Sequence, residues 1–451
     1  MKINVLVAEI GSTTTVVNAF NGIGSSCPKF IGQGQAPTSV SEGDVNIGLK
    51  EAIEDLRENL GVENITYDEM LATSSAAGGL RMTVHGLVYD MTVRAAKEAA
   101  LGAGGIIKFV TAGKLRKLDL KKIQEINPNI LLIAGGVDYG ERDTALYNTE
   151  AILNLKLNIP IICAGNVENQ EEIRLLCDEA GVKLYIVENV YPKIDMLIIE
   201  PTRKVIQDVF EEHIIHAPGM QKVRDLVNGP IIPTPGAVME AAKLLKDKLG
   251  DIVVFDVGGA TTDVHSVTEG SDEVNKILIS PEPVAKRTVE GDLGVYVNFR
   301  HIIEKIGMEN LLKEFNDAEE LISSIKPIPE TDREKQFIER LTKEAVLTAL
   351  ERHAGQLRYL YGPSGKKTVA EGKDLTNIKY VIGTGGALTR LPNRIEILKS
   401  VTTYGRGMEL YPKNDVKVLI DNQYIMASLG VLSKKYPEDA FALLKESMNL
   451  D

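Results

Sequence analysis

The first third of the chain has the pattern of a small antiparallel sheet followed by a helix. Residues 3–8 form an uninterrupted apolar run, and a second strand pattern resumes at Val16 after a turn of glycine, serine and threonine. A third extended segment is predicted near Phe30–Ala36. Asp44 then predicts the N-cap of an amphipathic helix that ends at Gly61.

The middle third alternates short apolar runs with helical patterns. Strands are predicted at Ile130–Ala134, Ile159–Ala164 and Lys183–Val187, with helices between them. Strands that alternate with helices across short loops are typical of a parallel, three-layer unit with right-handed connections. We place this unit at residues 93–228, as an insert between two parts of a larger fold.

The last third begins with a helix over residues 236–245, which presents a face of small side chains. A strand over Asp251–Asp256 follows it. Residues 300–360 are rich in charge and predict a solvated helical layer. A final apolar strand, Lys379–Ile382, leads into another glycine-rich turn.

Composition narrows the class of protein. The 451 residues are 44% hydrophobic and 25% charged, as in a globular chain of several domains. Their 63 acidic and 51 basic residues give a net charge of -12, which argues against nucleic acid or an anionic membrane as partner. No apolar run approaches the roughly 18 residues of a membrane span. Three scattered cysteines predict reduced thiols and a cytoplasmic protein, without a disulfide scaffold or metal cluster.

A glycine-rich turn after the strand at Asp251–Asp256 carries the most specific chemistry. Asp256 ends the strand, Gly258 and Gly259 follow it, and Asp263 lies where the next strand resumes. Glycine lets the backbone approach a phosphate, and a run of exposed amides binds anions. Asp256 would hold a hydrated Mg²⁺ or orient a water molecule.

Two further turns share features of this one. The first places Glu9 before Gly11 and the hydroxyls that follow, and the third runs from Gly383 to Ala387 at the start of a predicted helix. Taken singly, the first two turns also fit ordinary hairpins, and the third fits a generic connection from strand to helix. Together they predict two equivalent domains that grip one nucleotide.

The three turns resemble the motifs of the actin-like ATPase superfamily. The phosphate-one motif falls on Glu9–Thr15, phosphate-two on Asp256–Asp263 and the adenosine motif on Gly383–Ala387, with connecting helices at Pro235–Ala242 and Met426–Gly430. The resemblance implies an α/β, actin-like ATPase fold of two ribonuclease H-like domains around a nucleotide cleft, with an inserted α/β subdomain. The first acid of that superfamily is usually Asp, and Glu9 is one methylene longer.

A closer resemblance covers essentially the whole chain. Thr73–Met82, Ala134–Gly140 and Arg287–Gly294 are similar to segments of the glutamate mutase-associated MutL family. That resemblance implies a chaperone-like reactivating factor that uses ATP to expel damaged cofactor from an adenosylcobalamin-dependent mutase, of the glutamate mutase or aminomutase type. The mutase subunits and ATP or ADP are then the expected partners.

These resemblances assign domains and site residues. The expected domains are residues 1–92 (first ATPase domain, first part), 93–228 (insert), 229–250 (connecting helix) and 251–451 (second ATPase domain). Catalysis is assigned to Asp256, Asp263 and Glu9, and Mg²⁺ to Asp256 and, through water, Glu9. The residues assigned to the nucleotide are Gly11, Ser12, Thr13, Thr14, Gly258, Gly259, Ala260, Thr261, Thr262, Gly291, Gly383, Thr384, Gly385 and Gly386.

Other functions remain open at this point. A small-molecule kinase of the same superfamily is the main alternative, and it would turn over an acceptor without a protein partner. An activator of radical dehydratases would need closely spaced cysteines for an iron–sulfur cluster, and Cys27, Cys163 and Cys177 are far apart. A filament or scaffold protein would assemble without ATP. A dehydrogenase is disfavoured because Ala134–Gly140 lacks the spacing G-x-G-x-x-G.

Overall fold

The computed structural model describes residues 1–11, 14–25, 27–39, 43–75, 80–214, 219–363, 365–405 and 407–450. Ser12 and Thr13 of the first turn, and residues 76–79 of the segment Thr73–Met82, lie outside the described residues. The chain divides into two compact units, Met1–Ala237 and Val238–Asp451.

A mixed sheet with strand order β3-β2-β1-β4-β10 forms one part of the first unit. Its strands and the helices beside it are β1 (Lys2–Ile10), β2 (Thr14–Asn21), β3 (Lys29–Pro37), α1 (Val45–Asn59), β4 (Thr66–Ser74), α7 (Met220–Leu226) and β10 (Ile231–Pro233). β1, β2 and β3 are antiparallel neighbours, whereas β4 runs parallel to both β1 and β10. Asp44 caps α1 by accepting a hydrogen bond from the Asn46 N–H, as its sequence predicts.

Between β4 and β10 the chain forms a second, parallel sheet with strand order β6-β5-β7-β8-β9. Its elements are β5 (Arg81–Gly86), α2 (Arg94–Gly102), β6 (Ile106–Ala112), α3 (Lys117–Ile126), β7 (Ile130–Ala134), α4 (Asp143–Leu153), β8 (Ile161–Cys163), α5 (Gln170–Ala180), β9 (Leu184–Ile186) and α6 (Glu200–Ile214). The predicted alternation of parallel strands and helices is confirmed. Its first strand lies within residues 1–92, ahead of the predicted start at residue 93.

The second unit contains a sheet with strand order β13-β12-β11-β16-β17. The strands are β11 (Ile252–Val257), β12 (Thr262–Val267), β13 (Ala285–Glu290), β16 (Tyr380–Thr384) and β17 (Lys417–Ile420), and a separate hairpin pairs β14 (Gln356–Gly362) with β15 (Gly365–Glu371). The helices are α8 (Thr234–Leu249), which begins in the first unit, α9 (Asp272–Asn275), α10 (Phe299–Ile306), α11 (Met308–Glu314), α12 (Ala318–Ser323), α13 (Asp332–His353), α14 (Gly385–Arg390), α15 (Arg394–Lys399), α16 (Met426–Leu432) and α17 (Pro437–Ser447).

The two mixed sheets have the same topology. In each, a strand lies between an antiparallel hairpin partner and a parallel neighbour: β1 between β2 and β4, and β11 between β12 and β16. The outer strands follow the same order and directions. Each unit therefore carries its first glycine turn at the same place, between the central strand and its hairpin partner.

The helical layer predicted at residues 300–360 is shorter than expected. α13 ends at His353 and β14 begins at Gln356, so the prediction was wrong for the last residues of that range. The hairpin directly follows a charged helix and itself carries basic residues. The change from helical to strand periodicity was therefore hard to see in the sequence. Over the described ranges, no helix is both long and apolar enough to span a membrane.

Candidate functional site

The turn between β11 and β12 holds its own carbonyl groups in a network of hydrogen bonds. Asp256 pairs with Asp263 and Val257 with Thr262, and the Gly258 N–H donates to the Thr261 carbonyl at 3.0 Å. The segment after β13 binds the other carbonyls of the turn. The N–H groups of Val295, Tyr296 and Val297 donate to Gly258 and Gly259, and the Asn298 amide donates to Ala260 at 2.8 Å.

The amides of the same turn are arranged differently. Within the described ranges, no acceptor is found for the N–H groups of Gly259, Ala260 and Thr261. All three residues are at least partly exposed. Consecutive N–H groups in an exposed turn form a concave site of positive potential, which is the property that binds phosphate. Phosphate binding at this turn stays a prediction.

Glycine is required at Gly294 by packing. A Cβ atom at this position would overlap the backbone carbonyl of Ala260 and that of Gly259. The block after β13 can therefore press against the turn only because residue 294 has no side chain. Gly291, which the sequence assigns to the nucleotide, lies on the exposed edge of the same block, where its carbonyl accepts from the Asn298 amide at 2.7 Å.

The third glycine turn lies beside Asp256. β11 and β16 are parallel neighbours, and Asp256 pairs with Thr384 at their carboxyl ends. Gly385 follows with a φ of +83°, and a Cβ there would lie 2.5 Å from Asp256 Oδ1 and 2.6 Å from the Val257 N atom. α14 starts at this glycine, as the sequence predicts. The second and third turns therefore meet at one end of one sheet.

A buried carboxylate, Asp421, supports the third turn. It is fully buried after β17 and accepts from the Thr384 hydroxyl at 2.9 Å, from the Ser447 hydroxyl at 2.7 Å and from the Met426 N–H at 2.9 Å. Burial raises the pKa of Asp421 above its ordinary value. Sequence reasoning missed this residue, because an acid at the end of a short strand resembles an ordinary turn residue.

Asp263 is part of a buried ion pair. The Arg287 guanidinium donates to Asp263 Oδ1 from Nε at 2.8 Å, and the Thr261 hydroxyl donates to Oδ2 at 3.2 Å. Arg287 and Asp263 are 2% and 5% exposed. The Thr262 hydroxyl donates to the Leu293 carbonyl at 2.7 Å. The side chains of Asp263 and Thr262 thus hold the turn from its buried side, and Arg287 is a buried partner of the turn that sequence reasoning did not identify.

A second ionic group lies at the end of β13 next to the turn, where Glu290 pairs with Thr262. Arg352 donates to Glu290 at 2.7 Å and to both oxygens of Asp292 at 2.7 and 2.8 Å. Burial raises the pKa of Glu290, while the bonds from Arg352 lower the pKa of Asp292. The block that packs on the turn is thereby tied to α13.

The first glycine turn has the same backbone bond as the second. The Gly11 N–H donates to the Thr14 carbonyl at 3.0 Å, and a Cβ at Gly11 would lie 2.5 Å from that oxygen. Glu9 is buried, and its Oε1 accepts from the Asn18 amide at 3.3 Å. Asn18 in turn accepts from the Gln33 amide at 2.8 Å. The first acid is therefore held inside the sheet by a chain of amides.

Glu9 and Asp256, the two acids assigned to Mg²⁺, do not belong to a preformed metal cluster within the described residues. Among the residues that the structure describes, no group of three or more His, Cys, Asp or Glu side chains is arranged to hold a metal ion. Mg²⁺ commonly keeps several of its water ligands and uses one or two carboxylates with substrate phosphates. Asp256, a partly exposed acid at the end of the strand that leads into this turn, fits that mode of binding.

Residues 5–448 match the family model described as MutL protein. Protein MutL from Clostridium tetanomorphum is 37% identical over 422 residues, which cover 90% of this chain and 91% of that protein. Among solved structures, nucleotide-free acetone carboxylase is similar with a TM-score of 0.44 and 12% identity, covering 96% of this chain and 70% of that one. The nucleotide-free diol dehydratase-reactivating factor has a TM-score of 0.39 and 11% identity, covering 97% and 100%. Structural likenesses this distant do not identify an activity.

Proposed function

The chain belongs to the MutL protein family, and from this premise we propose that it is an ATP-hydrolysing factor that reactivates an adenosylcobalamin-dependent mutase. The mutase would be of the glutamate mutase or aminomutase type. The nucleotide part of the proposal depends on one observation: three consecutive amides at Gly259, Ala260 and Thr261, for which no acceptor is found among the described residues, lie in an exposed turn that directly follows the strand ending in Asp256 and Val257. The mutase partner follows from the family resemblance.

The phosphates of ATP would bind to the N–H groups of Gly259, Ala260 and Thr261. A chain with a net charge of -12 repels a free polyphosphate, so this local positive potential and a bound Mg²⁺ would have to supply the attraction. The turn at Thr384–Gly386 lies at the same end of the sheet and would contact the adenosine side of the nucleotide. We also assign the two mixed sheets to the two ribonuclease H-like domains of an actin-like ATPase.

Asp256 would act on the reacting phosphate through a hydrated Mg²⁺ or an oriented water molecule. Phosphoryl transfer depends mainly on positioning and on electrostatic stabilisation, so one placed carboxylate has a large effect. Asp263 would act as a positioning residue, because its carboxylate is buried against Arg287 and holds the Thr261 hydroxyl. The bound metal would neutralise phosphate charge during the reaction.

If ATP drives the reactivation, the bound nucleotide must change the affinity of this chain for the mutase. A factor that prefers its partner in one nucleotide state must show a coupling free energy, typically about 1–3 kcal/mol. That energy would favour a conformation of the mutase from which a damaged cobalamin can leave. A kinase of the same fold would show no such coupling and would instead turn over a small acceptor.

Calorimetry with MgATP on the purified chain tests nucleotide binding. We expect the wild type to bind, Asp256→Asn to keep most of the binding, and hydrolysis to fail in Asp256→Asn. Asp247→Asn removes the same charge from an exposed position of α8 and should behave as the wild type. An absence of binding at millimolar MgATP would overturn the nucleotide part of the proposal.

Interferometry against glutamate mutase and aminomutase subunits tests the partner. We expect affinities in ATP, in ADP and without nucleotide to differ by roughly 5- to 150-fold, and activity to return to an inactivated mutase only with ATP and fresh coenzyme. Equal affinity in all three states would contradict the reactivating function. Turnover of a small acceptor without any mutase would establish the kinase alternative.

A further inference from the structure

The hairpin of β14 and β15 is anchored to the second unit at its base. Its two strands form a sheet of their own. At the base, buried Ala370 and partly buried Leu357 pack in a small apolar cluster. Both outer edges are paired there: the Leu357 N–H donates to the Met408 carbonyl at 2.7 Å, and the Ala370 N–H donates to the Ile277 carbonyl at 2.8 Å. A hairpin of two strands is marginally stable without such anchoring.

The outer part of β14 exposes three large side chains in a row. Tyr359, Leu360 and Tyr361 are 43%, 52% and 78% exposed. Successive residues of a strand point to opposite faces, so Tyr359 and Tyr361 share one face and Leu360 lies on the other. Single exposed apolar residues are ordinary, whereas a contiguous run of them is typical of a contact surface.

The backbone of this run also has an unpaired edge. The Leu357 N–H points away from β15, and the backbone direction of a strand repeats every second residue, so the N–H groups of Tyr359 and Tyr361 point the same way. Neither group has an acceptor among the residues that the structure describes. We call this edge, at residues 358–362, the free edge of β14. Such an edge is a template for a further strand.

The hairpin is basic in an acidic chain. Residues 357–370 contain Arg358, Lys366 and Lys367 and no acid, whereas the whole chain has a net charge of -12. Arg358 forms an ion pair with Glu371 at 2.8 Å, and the Lys366 Nζ atom lies over the Tyr359 ring, 3.3 Å from its centroid. Neither lysine has an ion-pair partner within the described ranges. The positive charge of the hairpin is therefore available to an acidic partner.

We propose that the free edge of β14 binds an extended, acidic segment of a partner protein as a third strand. The outward N–H and carbonyl groups of Tyr359 and Tyr361 would bond its backbone, as in other cases of strand addition. The two lysines would attract its carboxylates, and the exposed tyrosine rings would cover its apolar side chains. The proposal does not depend on nucleotide binding or on a mutase.

The same observations disfavour two other occupants. A second copy of the hairpin would bring two basic surfaces together, which costs energy through repulsion. A single-stranded nucleic acid suits aromatic and basic side chains, but it offers no backbone donors for the outward carbonyls of Tyr359 and Tyr361. Its dense negative charge is also repelled by a chain of net charge -12.

Titration of the full chain with a labelled synthetic peptide, acetyl-Glu-Val-Glu-Val-Glu-Val-Glu-amide, tests the proposal by fluorescence anisotropy. We expect saturable binding at one equivalent that weakens as the ionic strength rises from about 0.05 to about 0.5 M. The same peptide with lysine in place of glutamate should not bind. An absence of binding at millimolar peptide, or equal binding of the two peptides, would overturn the proposal. So would tighter binding of a twelve-residue oligothymidylate.

Two substitutions at Tyr361 separate the backbone from the ring. Tyr361→Ala removes the ring and keeps the outward N–H, whereas Tyr361→Pro removes both, and proline is tolerated where a strand N–H faces solvent. The proline variant should bind the peptide roughly 2- to 12-fold more weakly than the alanine variant, the effect of one hydrogen bond. Tyr89→Ala removes an exposed tyrosine of the first unit and should bind as the wild type. Equal affinity in the proline and alanine variants, with thermal unfolding showing an intact fold, would overturn strand addition.

Charge reversal at the lysines gives a second, independent test. The double variant Lys366→Glu, Lys367→Glu should lose the acidic peptide and gain the lysine peptide, because the sign of the local charge changes. An unchanged preference would overturn the role of the lysines and with it the choice of an acidic partner. Sedimentation of the wild type as a dimer that Tyr361→Pro dissociates would instead assign the edge to a second copy. Asp256→Asn should bind the peptide as the wild type, so failure of the proposed nucleotide site leaves this proposal intact.

Discussion

The first and second glycine turns make the same backbone hydrogen bond, but the side chains packed behind them differ. In both, an acid precedes the turn and the glycine two residues later donates to the carbonyl three residues on, at 3.0 Å. The register of the hairpins equates Val16 with Asp263 and Asn18 with His265. The next strands equate Gln33 with Arg287. The amides Asn18 and Gln33 of one unit thus occupy the positions of a buried imidazole, His265, and of the ion-paired Arg287 in the other.

This difference suggests different roles for Glu9 and Asp256. Glu9 is buried and accepts from Asn18, whereas Asp256 is partly exposed next to the unpaired amides of Gly259 and Ala260. In the second unit Arg287 forms an ion pair with Asp263, which has no counterpart in the first unit, where Val16 stands at that position. We infer that the second turn carries the reaction and that the first has mainly a supporting role.

The largest expected effect is the difference in ATP hydrolysis between variants of Asp256 and of Glu9. Asp256→Asn should reduce ATP hydrolysis by about 10²–10⁴-fold, because a group that orients water or metal is lost. Glu9→Gln should cost clearly less, because its side chain already lies in an amide network. Steady-state hydrolysis of both variants, with Asp247→Asn as control, measures the difference. An equal or larger loss in Glu9→Gln would reverse the assignment.

Arg287→Met should destabilise the second unit strongly. It leaves Asp263 buried without its partner, and breaking a buried pair in this way costs about 3–5 kcal/mol. Adding Asp263→Val, which copies Val16 of the first turn, should recover much of the lost stability. Urea unfolding of the single and double variants measures this, and a double variant no more stable than the single one would contradict the comparison.

Alanine substitutions at Gly385 and Gly386 test the contact between the second and third turns, with Gly386 as the control. Gly385→Ala places a Cβ 2.5 Å from Asp256 Oδ1 at a φ of +83°, and should cost about 1–3 kcal/mol. Gly386→Ala adds a Cβ with no atom within 4 Å and should leave stability nearly unchanged. Equal unfolding midpoints for the two variants would show that this close approach does not exist in solution.

Sequence reasoning succeeded where a pattern is local. The strands, the cap at Asp44 and the helix that begins in the turn Gly383–Ala387 depend on neighbouring residues, and the structure confirms each. It missed Arg287 and Asp421, because their roles depend on partners more than 20 residues away, at Asp263 and Thr384. Nothing in a single sequence says which of many charged residues will be buried together. The strand order of the parallel sheet, β6-β5-β7-β8-β9, is a long-range property of the same kind.

The smallest expected effect concerns pH and tests the buried imidazole that replaces an amide. His265 is fully buried on β12, and burial, followed by the nearby Arg287 charge, lowers its pKa well below the ordinary value of 6.5. The unfolded chain therefore binds a proton below pH 6.5 that the folded chain does not, so stability is present above that pH and is lost as the pH falls. Between pH 7.5 and 6.0 this group alone should lower the free energy of unfolding by about 0.8 kcal/mol.

His265→Asn copies Asn18 of the first unit and should remove that part of the pH dependence. His353, which accepts or donates between the Ser266 and Thr288 hydroxyls at 2.8 and 2.9 Å, has its pKa lowered by the same burial and should keep its own share. Unfolding free energies of the wild type and of His265→Asn at the two pH values decide the matter: the same loss in both proteins would mean that the imidazole of His265 does not stay neutral in the fold.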